Sequence, residues 1–520
     1  MPIPNVQSFK ADNDEGHFSA GEITIETELD GAREGILAML ALAEGGRSGA
    51  KKAPVRFRYN PELAEGQYWL DCTEQGVLAE AGGIPAAVHA AATLAQLTDA
   101  CGGRLPVCRI DDAPRFGWRG LTLDVCRHFF PIGTVKKLVG LMAYYKLNRL
   151  HLHLSDDQGF RFESEKFPLL NTVGSFRAST AVKRGAGETQ DGIPHGGYYK
   201  KEELRELVRF AKARGVEIVP ELDMPGHAVA MIAAYPELAC FSDAKHPVRV
   251  ATRFGVSEFS KNLLCAGNER TFSFLFALLD EMMEVFPFEY FHLGGDEAVK
   301  TEWKRCPKCQ NVMREQKLPD ERELQGWFLN RASRYLNAHG RTAIVWNDGL
   351  CKTLDDDVVC QYWTPFFIEG KRRTVRRANA GGRMISSAFL RVYFDYPYAV
   401  TPLKKTYDYE PVPRGVAPDK RDGVIGAECA VWTEWIDTEE KLLFMTLPRL
   451  AAVSEAMWCS HKPGYRDFLR RLESHYRLYG KLGLTYAKKA GRTLPIWKRI
   501  AGVRTFFQTD THAELHENER

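Results

Sequence analysis

Eight short apolar segments, separated by longer amphipathic segments, recur along the chain from Gly120 onward. They are GLTLDVC, RLHLHLS, EIVPELD, YFHLGGD, TAIVWND, VVCQYW, MISSAFL with its extension RVYFD, and VIGAECAVW. Strands that alternate with helices pair in parallel. Eight such units favour a closed barrel over an open sheet. We therefore predict an α/β fold built on a (β/α)8 barrel.

Helical periodicity fills the intervals between these strands. TVKKLVGLMAYYK follows the first strand, KEELRELVRFAKARG precedes the third, ERELQGWFLNRASRYLNAHG precedes the fifth, and TEEKLLFMTLPRLAAVSEAMW follows the eighth. Gly215 and Gly340 end two of these helices, as glycine commonly does. The pattern is that of repeated βα units.

The regions outside the barrel have a different character. Residues 1–112 contain the alternating segment GEITIETEL, the strands VRFRY and QYWLDCTEQGVLAEAG, and two helical segments, and they predict a small α+β domain. The barrel is assigned to residues 113–463, after a turn-rich junction. Residues 464–520 form a helical extension, expected to pack on the barrel, and a polar tail whose last ten residues are expected to be disordered.

Charge and hydropathy exclude some classes of partner. The chain of 520 residues has 70 basic and 67 acidic side chains and no long run of either sign, so neither nucleic acid nor an anionic membrane is expected. No segment has the roughly 18 apolar residues needed to span a bilayer. The first residues lack a basic start and an apolar core, and the twelve scattered cysteines do not form a disulfide framework. We expect a cytoplasmic protein, unless a signal was removed before this numbering.

Cys306-Pro-Lys-Cys309 is a lone CxxC motif. A zinc finger would need a second cysteine or histidine pair at the usual sequence spacing, which is missing. Free thiols on a loop are the favoured interpretation, with a structural metal or a local disulfide as alternatives. No cofactor and no metal ligand are predicted.

Polar and aromatic side chains gather at the carboxyl ends of the predicted strands, where barrel enzymes have their active sites. Tryptophans mixed with carboxylates and an arginine are typical of a sugar pocket, because indole faces cover the CH side of a pyranose. These residues are Asp124, Arg127, His128, Asp156, Asp157, Glu221, Asp223, His227, Asp296, Glu297, Trp346, Asn347, Asp348, Tyr362, Trp363, Tyr393, Phe394, Asp395, Trp432, Thr433, Glu434 and Trp435.

The adjacent carboxylates Asp296 and Glu297 are the strongest catalytic candidates. Two ionised carboxylates at adjacent positions would repel each other, so the pKa values of the two groups should differ. Such a difference suits a pair in which one group acts as an acid and the other as a base. The alternative is an N-cap pair that begins the next helix. A cap needs only one carboxylate and does not need the preceding Gly294-Gly295, which favours the catalytic interpretation.

Five separated motifs together resemble one known family. LDVCRHFF, NRLHLHLSDDQGFR, EIVPELDMPGH, HLGGDE and AVWTEW are similar to glycoside hydrolase family 20, the β-N-acetylhexosaminidases, from about Ala113 to Trp458. The resemblance implies a retaining exo-acting enzyme that removes terminal β-linked GlcNAc or GalNAc from oligosaccharides or glycoconjugates. It also implies substrate-assisted catalysis through an oxazolinium intermediate, without a covalent bond to the protein.

The same resemblance implies roles for individual residues. Glu297 would be the general acid and base, Asp296 would orient the substrate's acetamido group, and Tyr393 would donate to the amide oxygen. Trp346, Trp363 and Trp432 would wall the acetamide pocket, while Arg127, Asp395 and Glu434 would bind hydroxyl groups. Asp156 and His227, counted with the substrate-binding group, resemble a supporting pair behind the acid. Phe160 departs from the tryptophan that the family often has there.

Three other functions remain open on sequence. The same scaffold could release disaccharides as an endo-type enzyme or prefer sulfated GlcNAc. A barrel that binds carbohydrate without catalysis is a second alternative. A conventional retaining glycosidase with Asp296 as nucleophile is a third, disfavoured because neighbouring residues do not readily flank one anomeric carbon. The segments Arg177–Pro194 and Tyr407–Asp422 are expected to shape the aglycone side.

Overall fold

A computed structural model describes residues 1–11, 17–19, 24–43, 54–182, 189–242, 248–252, 263–363 and 368–491, together with Trp497 and Ile500. The N-terminal part has a six-stranded sheet in the order β1-β8-β5-β6-β4-β3 and a separate pairing of β2 with β7. Its elements are β1 Ser8–Ala11, β2 His17–Ser19, β3 Thr24–Thr27, α1 Arg33–Leu40, β4 Pro54–Tyr59, β5 Tyr68–Thr73, β6 Gly76–Ala81, α2 Ile84–Ala100, β7 Arg104–Pro106 and β8 Cys108–Asp112.

Eight parallel strands then close into a barrel in the order β10-β15-β16-β17-β18-β19-β20-β9. The predicted (β/α)8 fold is therefore confirmed. The strands of this part are β9 Trp118–Asp124, β10 Arg149–His153, β11 Ser155–Asp156, β12 Gly159–Phe160, β13 Phe176–Arg177, β14 His195–Gly196, β15 Glu217–Glu221, β16 Tyr290–His292, β17 Thr342–Trp346, β18 Val359–Tyr362, β19 Met384–Ser386 and β20 Val424–Val431.

Helices surround the barrel and extend beyond it. They are α3 Ile132–Tyr144, α4 Lys201–Lys212, α5 Val229–Ala234, α6 Glu269–Met283, α7 Thr301–Arg305, α8 Pro307–Glu315, α9 Glu321–Ala338, α10 Ile368–Asn379, α11 Phe389–Val392, α12 Leu403–Tyr407, α13 Glu439–Thr446, α14 Arg449–Trp458 and α15 Tyr465–Lys481. Gly215 and Gly340 both have φ near +70°, at +69° and +71°, just beyond α4 and α9. No helix among the described residues is long and apolar enough to cross a membrane.

Three expectations about local structure are wrong. The single helix predicted after the eighth strand is two helices, α13 and α14, because Pro448 has no N–H to continue the first. The strand predicted to run on through RVYFD is interrupted, because Phe389–Val392 form the short helix α11 and only Tyr393 keeps a strand-like bridge, to Ala430 of β20. Cys306 and Cys309 do not lie on a loop, since Cys306 is the N-cap of α8 and Cys309 lies in its first turn.

The loop Tyr407–Asp422 lies away from the expected aglycone side. Glu410 accepts a hydrogen bond of 2.8 Å from Arg115, which precedes the amino end of β9. This loop leads into the amino end of β20, opposite to the strand ends where barrel active sites form. The expectation was therefore wrong for this segment. Part of the segment Arg177–Pro194 lies outside the described residues.

Side-chain alternation along the strands separates an outer apolar layer from the barrel interior. In β10, Leu150 and Leu152 belong to the main core between strands and helices, whereas His151 and His153 alternate with them and bind the interior carboxylate of Glu221. A small apolar cluster closes the interior at its amino end: Trp118, Val219, Ile344, Val359 and Ile385. The polar groups above this plug lie beneath the active-site end.

Helix α15 ties the N-terminal segment of the chain to the helices of the barrel. Arg471 forms a buried 2.6 Å ion pair with Glu455 of α14 and donates to the carbonyl of Pro2 at 2.7 Å. His475 pairs with the hydroxyl of Tyr145 at 2.9 Å. The domain boundaries at residues 112 and 463 stay predictions, and the tail expected to be disordered lies outside the described residues.

Candidate active site

An open cavity of about 180 Å³ lies among loops that follow the carboxyl ends of the barrel strands. The lining residues come from six different strand ends, and they are Arg127, Asp296, Glu297, Trp346, Trp363, Phe389, Tyr393, Asp395, Tyr396, Trp432 and Glu434.

The loop after β16 presents Asp296 and Glu297 to this cavity. Gly294 has φ of +65°, and a Cβ there would lie 1.7 Å from Oδ1 of Asp223, so only glycine fits. Glu297 itself has φ of +42°, a conformation that non-glycine residues rarely adopt. Helix α7 begins only at Thr301, with Lys300 as its N-cap. The alternative that Asp296 and Glu297 cap a helix is therefore wrong.

Asp296 is the more enclosed member of the pair. Its side chain is 14% exposed, against 35% for Glu297. Burial, reinforced by the negative charges of Glu221 and Glu297, raises the pKa of Asp296 from 3.8 to about 7. Its Oδ1 is buried and has no hydrogen-bond partner among the described residues. A buried acceptor without a hydrogen-bond partner costs free energy, and a ligand that donates a hydrogen bond to this oxygen would remove that cost.

His227 lies directly behind the two carboxylates. Its Nε2 is 3.7 Å from Asp296 and 3.6 Å from Glu297, and its Nδ1 is 3.2 Å from Asp156. Burial opposes a charge on the imidazole, but Asp156 and Asp157 outweigh it and raise the pKa of His227 well above its ordinary value. With φ of +47°, His227 also has a strained backbone, as functional residues often do. It supplies positive charge next to the acid pair.

Asp156 links this histidine to Arg127. Its Oδ2 lies 2.7 Å from Nη2 of Arg127 and 2.9 Å from Nε2 of His153. Although burial would raise the pKa of Asp156, the charges of Arg127 and His227 hold it well below the ordinary value. Asp156 is fully buried and, like His227, does not line the cavity. Both residues act on the cavity through their neighbours.

Arg127 is held in place before any ligand binds. Its Nε donates to Gln158 at 3.0 Å, while Nη1 donates to Asp124 at 3.3 Å and Nη2 pairs with Asp156. A guanidinium carries five N–H groups in a planar fork that suits neighbouring oxygens, and these contacts hold the fork of Arg127 at the cavity wall.

Aromatic rings form the walls of the cavity. Trp363 and Tyr393 stack with centroids 6.2 Å apart and planes at 12°. Trp432 lies 5.9 Å from Trp346 and 6.1 Å from Tyr393, and the guanidinium of Arg127 lies 5.2 Å above its ring. Nε1 of Trp346 donates to Glu221 at 2.9 Å, which fixes that indole. The result is a recess with aromatic walls.

Tyr393 reaches the cavity from the position directly after the short helix α11. Its backbone bridges to Ala430 of β20, which places it beside the eighth strand. Burial raises the pKa of Tyr393 well above its ordinary value. The phenol therefore stays protonated at neutral pH and remains a hydrogen-bond donor.

A charged network fills the barrel interior beneath the cavity. Glu221 contacts His151 at 2.9 Å and His292 at 3.0 Å, and it also bonds to His153. His151 also lies 2.7 Å from Glu428. Burial lowers the pKa of His151, but the carboxylates of Glu221 and Glu428 outweigh burial and raise this pKa to about 9. Carboxylates raise the pKa of both His151 and His153, and the positive charge on these two histidines helps the region to hold several buried carboxylates. The network also supports Trp346 and Asp156 from below.

The structure brings nine of the eleven predicted site residues to the cavity wall and places Asp156 and His227 behind it. Phe389 and Tyr396 also line the cavity and were missed by sequence reasoning. The strand predicted for MISSAFL includes Phe389, and Tyr396 directly follows the predicted Asp395. The run of aromatics FLRVYFDYPY was the signal that could have identified both.

A pocket of indoles, carboxylates and an arginine at the carboxyl end of a (β/α)8 barrel defines a carbohydrate-processing barrel of the glycoside hydrolase class. The family model for the glycosyl hydrolase family 20 catalytic domain matches residues 116–461. The chain therefore belongs to glycosyl hydrolase family 20, as its motifs predicted. Family 20 catalytic domains are glycosidases, and the matched region contains the whole lining of the cavity.

Several characterised proteins are similar to the chain. A β-hexosaminidase of Porphyromonas gingivalis is 37% identical over 71% of this chain, and the aligned region spans about half, 47%, of that relative. A β-hexosaminidase of Akkermansia muciniphila is 35% identical over 80% of this chain and 84% of its own. The structure of a Vibrio harveyi family 20 exo-β-N-acetylglucosaminidase in complex with N-acetylglucosamine has a TM-score of 0.79 at 29% identity, covering 94% of this chain and 78% of that one.

Proposed function

We propose that the protein is a retaining exo-β-N-acetylhexosaminidase that hydrolyses terminal, non-reducing GlcNAc or GalNAc by substrate-assisted catalysis. The observation that carries this proposal is the placement of Asp296. This carboxylate lies in an aromatic recess beside Tyr393, with a buried oxygen that lacks a partner among the described residues. A substrate's own acetamido group fits these demands, because its N–H can donate to Asp296 and its carbonyl can accept from Tyr393.

The first chemical step follows from this placement. An acetamide folded beneath C1 attacks intramolecularly, so the nucleophile is already positioned. Its carbonyl oxygen forms a bond to C1 as the glycosidic C–O bond breaks, and Glu297 donates a proton to the departing oxygen. Asp296 stabilises the positive charge that develops on the cyclised amide.

The second step reverses the proton transfer. Glu297, now a carboxylate, removes a proton from water as the water attacks C1 and the amide ring reopens. Each of the two displacements inverts the configuration at C1. Together they restore the original anomeric configuration. The aromatic walls exclude other water from the oxazolinium ion while it exists.

The shape of the site favours removal of a single terminal sugar. Arg127, Asp395 and Glu434 line the same cavity as the aromatic recess and would bind the hydroxyls of one ring. An endo-acting enzyme would need room for a second sugar on that side. The carboxylates of Asp296 and Glu297 share one short loop, which does not suit the opposed, ~5 Å arrangement of a conventional retaining pair.

Hydrolysis of p-nitrophenyl β-GlcNAc and β-GalNAc tests the proposed activity. The matching chitobioside tests endo action, because only an endo-type enzyme releases the intact disaccharide from it. We expect release from the monosaccharides, tight inhibition by a thiazoline analogue of the cyclised sugar, and a β-configured first product by NMR. Trapping of a glycosyl-protein adduct would instead support Asp296 as a nucleophile. Binding of GlcNAc without any turnover would support a non-catalytic barrel.

A further inference from the structure

Four cysteine side chains from three separate segments converge on one point. Sγ of Cys309 lies 3.6 Å from that of Cys240 and 3.8 Å from that of Cys265, and Sγ of Cys265 lies 3.9 Å from that of Cys306. All four sulfur atoms lie within 4.8 Å of one another. Cys265, Cys306 and Cys309 are buried, and Cys240 is partly buried.

These distances have the dimensions of a metal site. A disulfide needs sulfur atoms about 2.05 Å apart, and the separations here are almost twice that. Four sulfurs bound tetrahedrally to zinc at ~2.3 Å lie on edges of about 3.8 Å. The three sulfur–sulfur separations fall within a few tenths of an ångström of that edge length.

Buried cysteines are also common as small apolar side chains, but two features are specific to ligation. Cys306 is the N-cap of α8 and Cys309 lies in its first turn, where free N–H groups and the helix dipole stabilise a thiolate. Their two-residue spacing is that of zinc-binding pairs. The partners that were missing from the sequence spacing, Cys240 and Cys265, are supplied by distant segments.

The backbone brings these segments together closely. The amide of Cys265 donates at 2.8 Å to the carbonyl of Leu238, two residues before Cys240. A Cβ on Gly267 would lie 2.2 Å from the carbonyl carbon of Lys308 and 2.5 Å from the amide nitrogen of Cys309. Glycine at this position therefore allows the Cys265 segment to approach the start of α8.

We propose that Cys240, Cys265, Cys306 and Cys309 bind one Zn²⁺ tetrahedrally. Each thiol loses its proton to solvent on binding, and no electron transfer is involved. Four protein ligands leave no open position for water or substrate, so the ion is structural rather than catalytic. The sequence had predicted no metal ligand, because only two of the four cysteines are close in the chain.

The proposed ion would fasten two loops of the active site to each other. The amide of Leu264, next to Cys265, donates to Pro225 at 3.0 Å, two residues before His227. Trp303 lies on α7, which follows the Asp296–Glu297 loop, and donates to the carbonyl of Leu264 at 3.0 Å. Zinc at this cluster would hold the His227 turn and the acid pair at a fixed separation.

Metal analysis of the full chain tests the site independently of enzyme activity. The protein is purified from zinc-supplemented medium with a reductant and without chelators, and its metal content is measured by plasma mass spectrometry. We expect about one zinc per chain, released when a mercurial reagent blocks the thiols. Replacement by Co²⁺ should give the intense visible bands of a tetrahedral tetrathiolate site, a signature that buried free thiols do not produce.

Paired variants locate the ligands. Cys306→Ser/Cys309→Ser should lose the zinc and melt at a lower temperature, whereas Cys101→Ser, a partly exposed cysteine at the end of α2, should keep both zinc content and Tm. Wild-type protein with reduced thiols that neither contains zinc nor takes up Co²⁺ would overturn the proposal. Unchanged zinc in the double variant, or disulfides among the four cysteines, would overturn it as well.

Discussion

Replacing Asp296 by asparagine should make the protein more stable and almost inactive. In the folded protein, burial raises the pKa of this carboxyl from 3.8 to about 7. Above pH 7 the folded state must hold a charge that the unfolded state holds more easily. The difference corresponds to about 4 kcal/mol as an order of magnitude. Asparagine has nearly the same shape and removes this penalty.

The sign of the pH dependence distinguishes this effect from ordinary repacking. An acid with a raised folded pKa destabilises the native state fully above that pKa, and the penalty disappears as the pH falls through 7 towards 3.8. The stability gain of Asp296→Asn should therefore be large at pH 8 and nearly absent at pH 4. Denaturant unfolding at both values measures it, with the exposed Asp356→Asn as a matched control.

Turnover should change in the opposite direction. A carboxylate about 4 Å from a developing positive charge, at an effective dielectric constant near 20, contributes about 4 kcal/mol. Its loss should lower kcat by about 10³-fold, while binding of GlcNAc, followed by quenching of the cavity tryptophans, should change little. A variant that loses activity and stability together at pH 8 would refute the reasoning, because Asp296 would then be a structural residue.

Further predictions concern the other groups of the site. Glu297→Gln should slow hydrolysis of a natural disaccharide by about 10²–10⁴-fold and affect an activated aryl glycoside much less, and equal losses on both would count against Glu297 as the acid. Affinity for a permanently cationic analogue of the cyclised sugar should fall as the pH drops through about 7 in wild type, since Asp296 then gains a proton, and should be independent of pH in Asp296→Asn. Tyr393→Phe should lower kcat by about 10²-fold with KM little changed, and an unaltered kcat would show that the phenol does not contact the amide. Arg127→Ala should raise KM and reduce the free energy of unfolding by about 3–5 kcal/mol, because Asp124 and Asp156 lose a buried partner, whereas Arg127→Lys should recover part of the stability.

The sequence predicted the barrel well because periodicity is a local property. All eight apolar segments became barrel strands, and the residues at their ends followed from the rule that these ends converge. Failures occurred where local patterns conflict. Apolar periodicity continued through Pro448, whose missing N–H ended the helix, and alternation through Phe389–Val392 suggested a strand where the chain forms one helical turn.

Within the site, the sequence indicated which residues meet but not how they share charge. Neither the burial of Asp296 nor the chain from His227 through Asp156 to Arg127 can be read from spacing, because each depends on contacts between different strand ends. The four-cysteine cluster was hidden for the same reason. Three segments supply its members, and only the folded chain brings Cys240 and Cys265 to the CxxC motif.

The histidine and carboxylate network inside the barrel restricts how this protein can change over time. Replacing only one of His151, Glu221 or Glu428 leaves an opposite charge unpaired in the interior and destabilises the fold. Exchanging several members together for apolar residues of similar volume can leave the stability unchanged. Substitutions at these positions should therefore survive only as linked sets. A protein designer who wishes to change the residues beneath this cavity must replace all members of the network together.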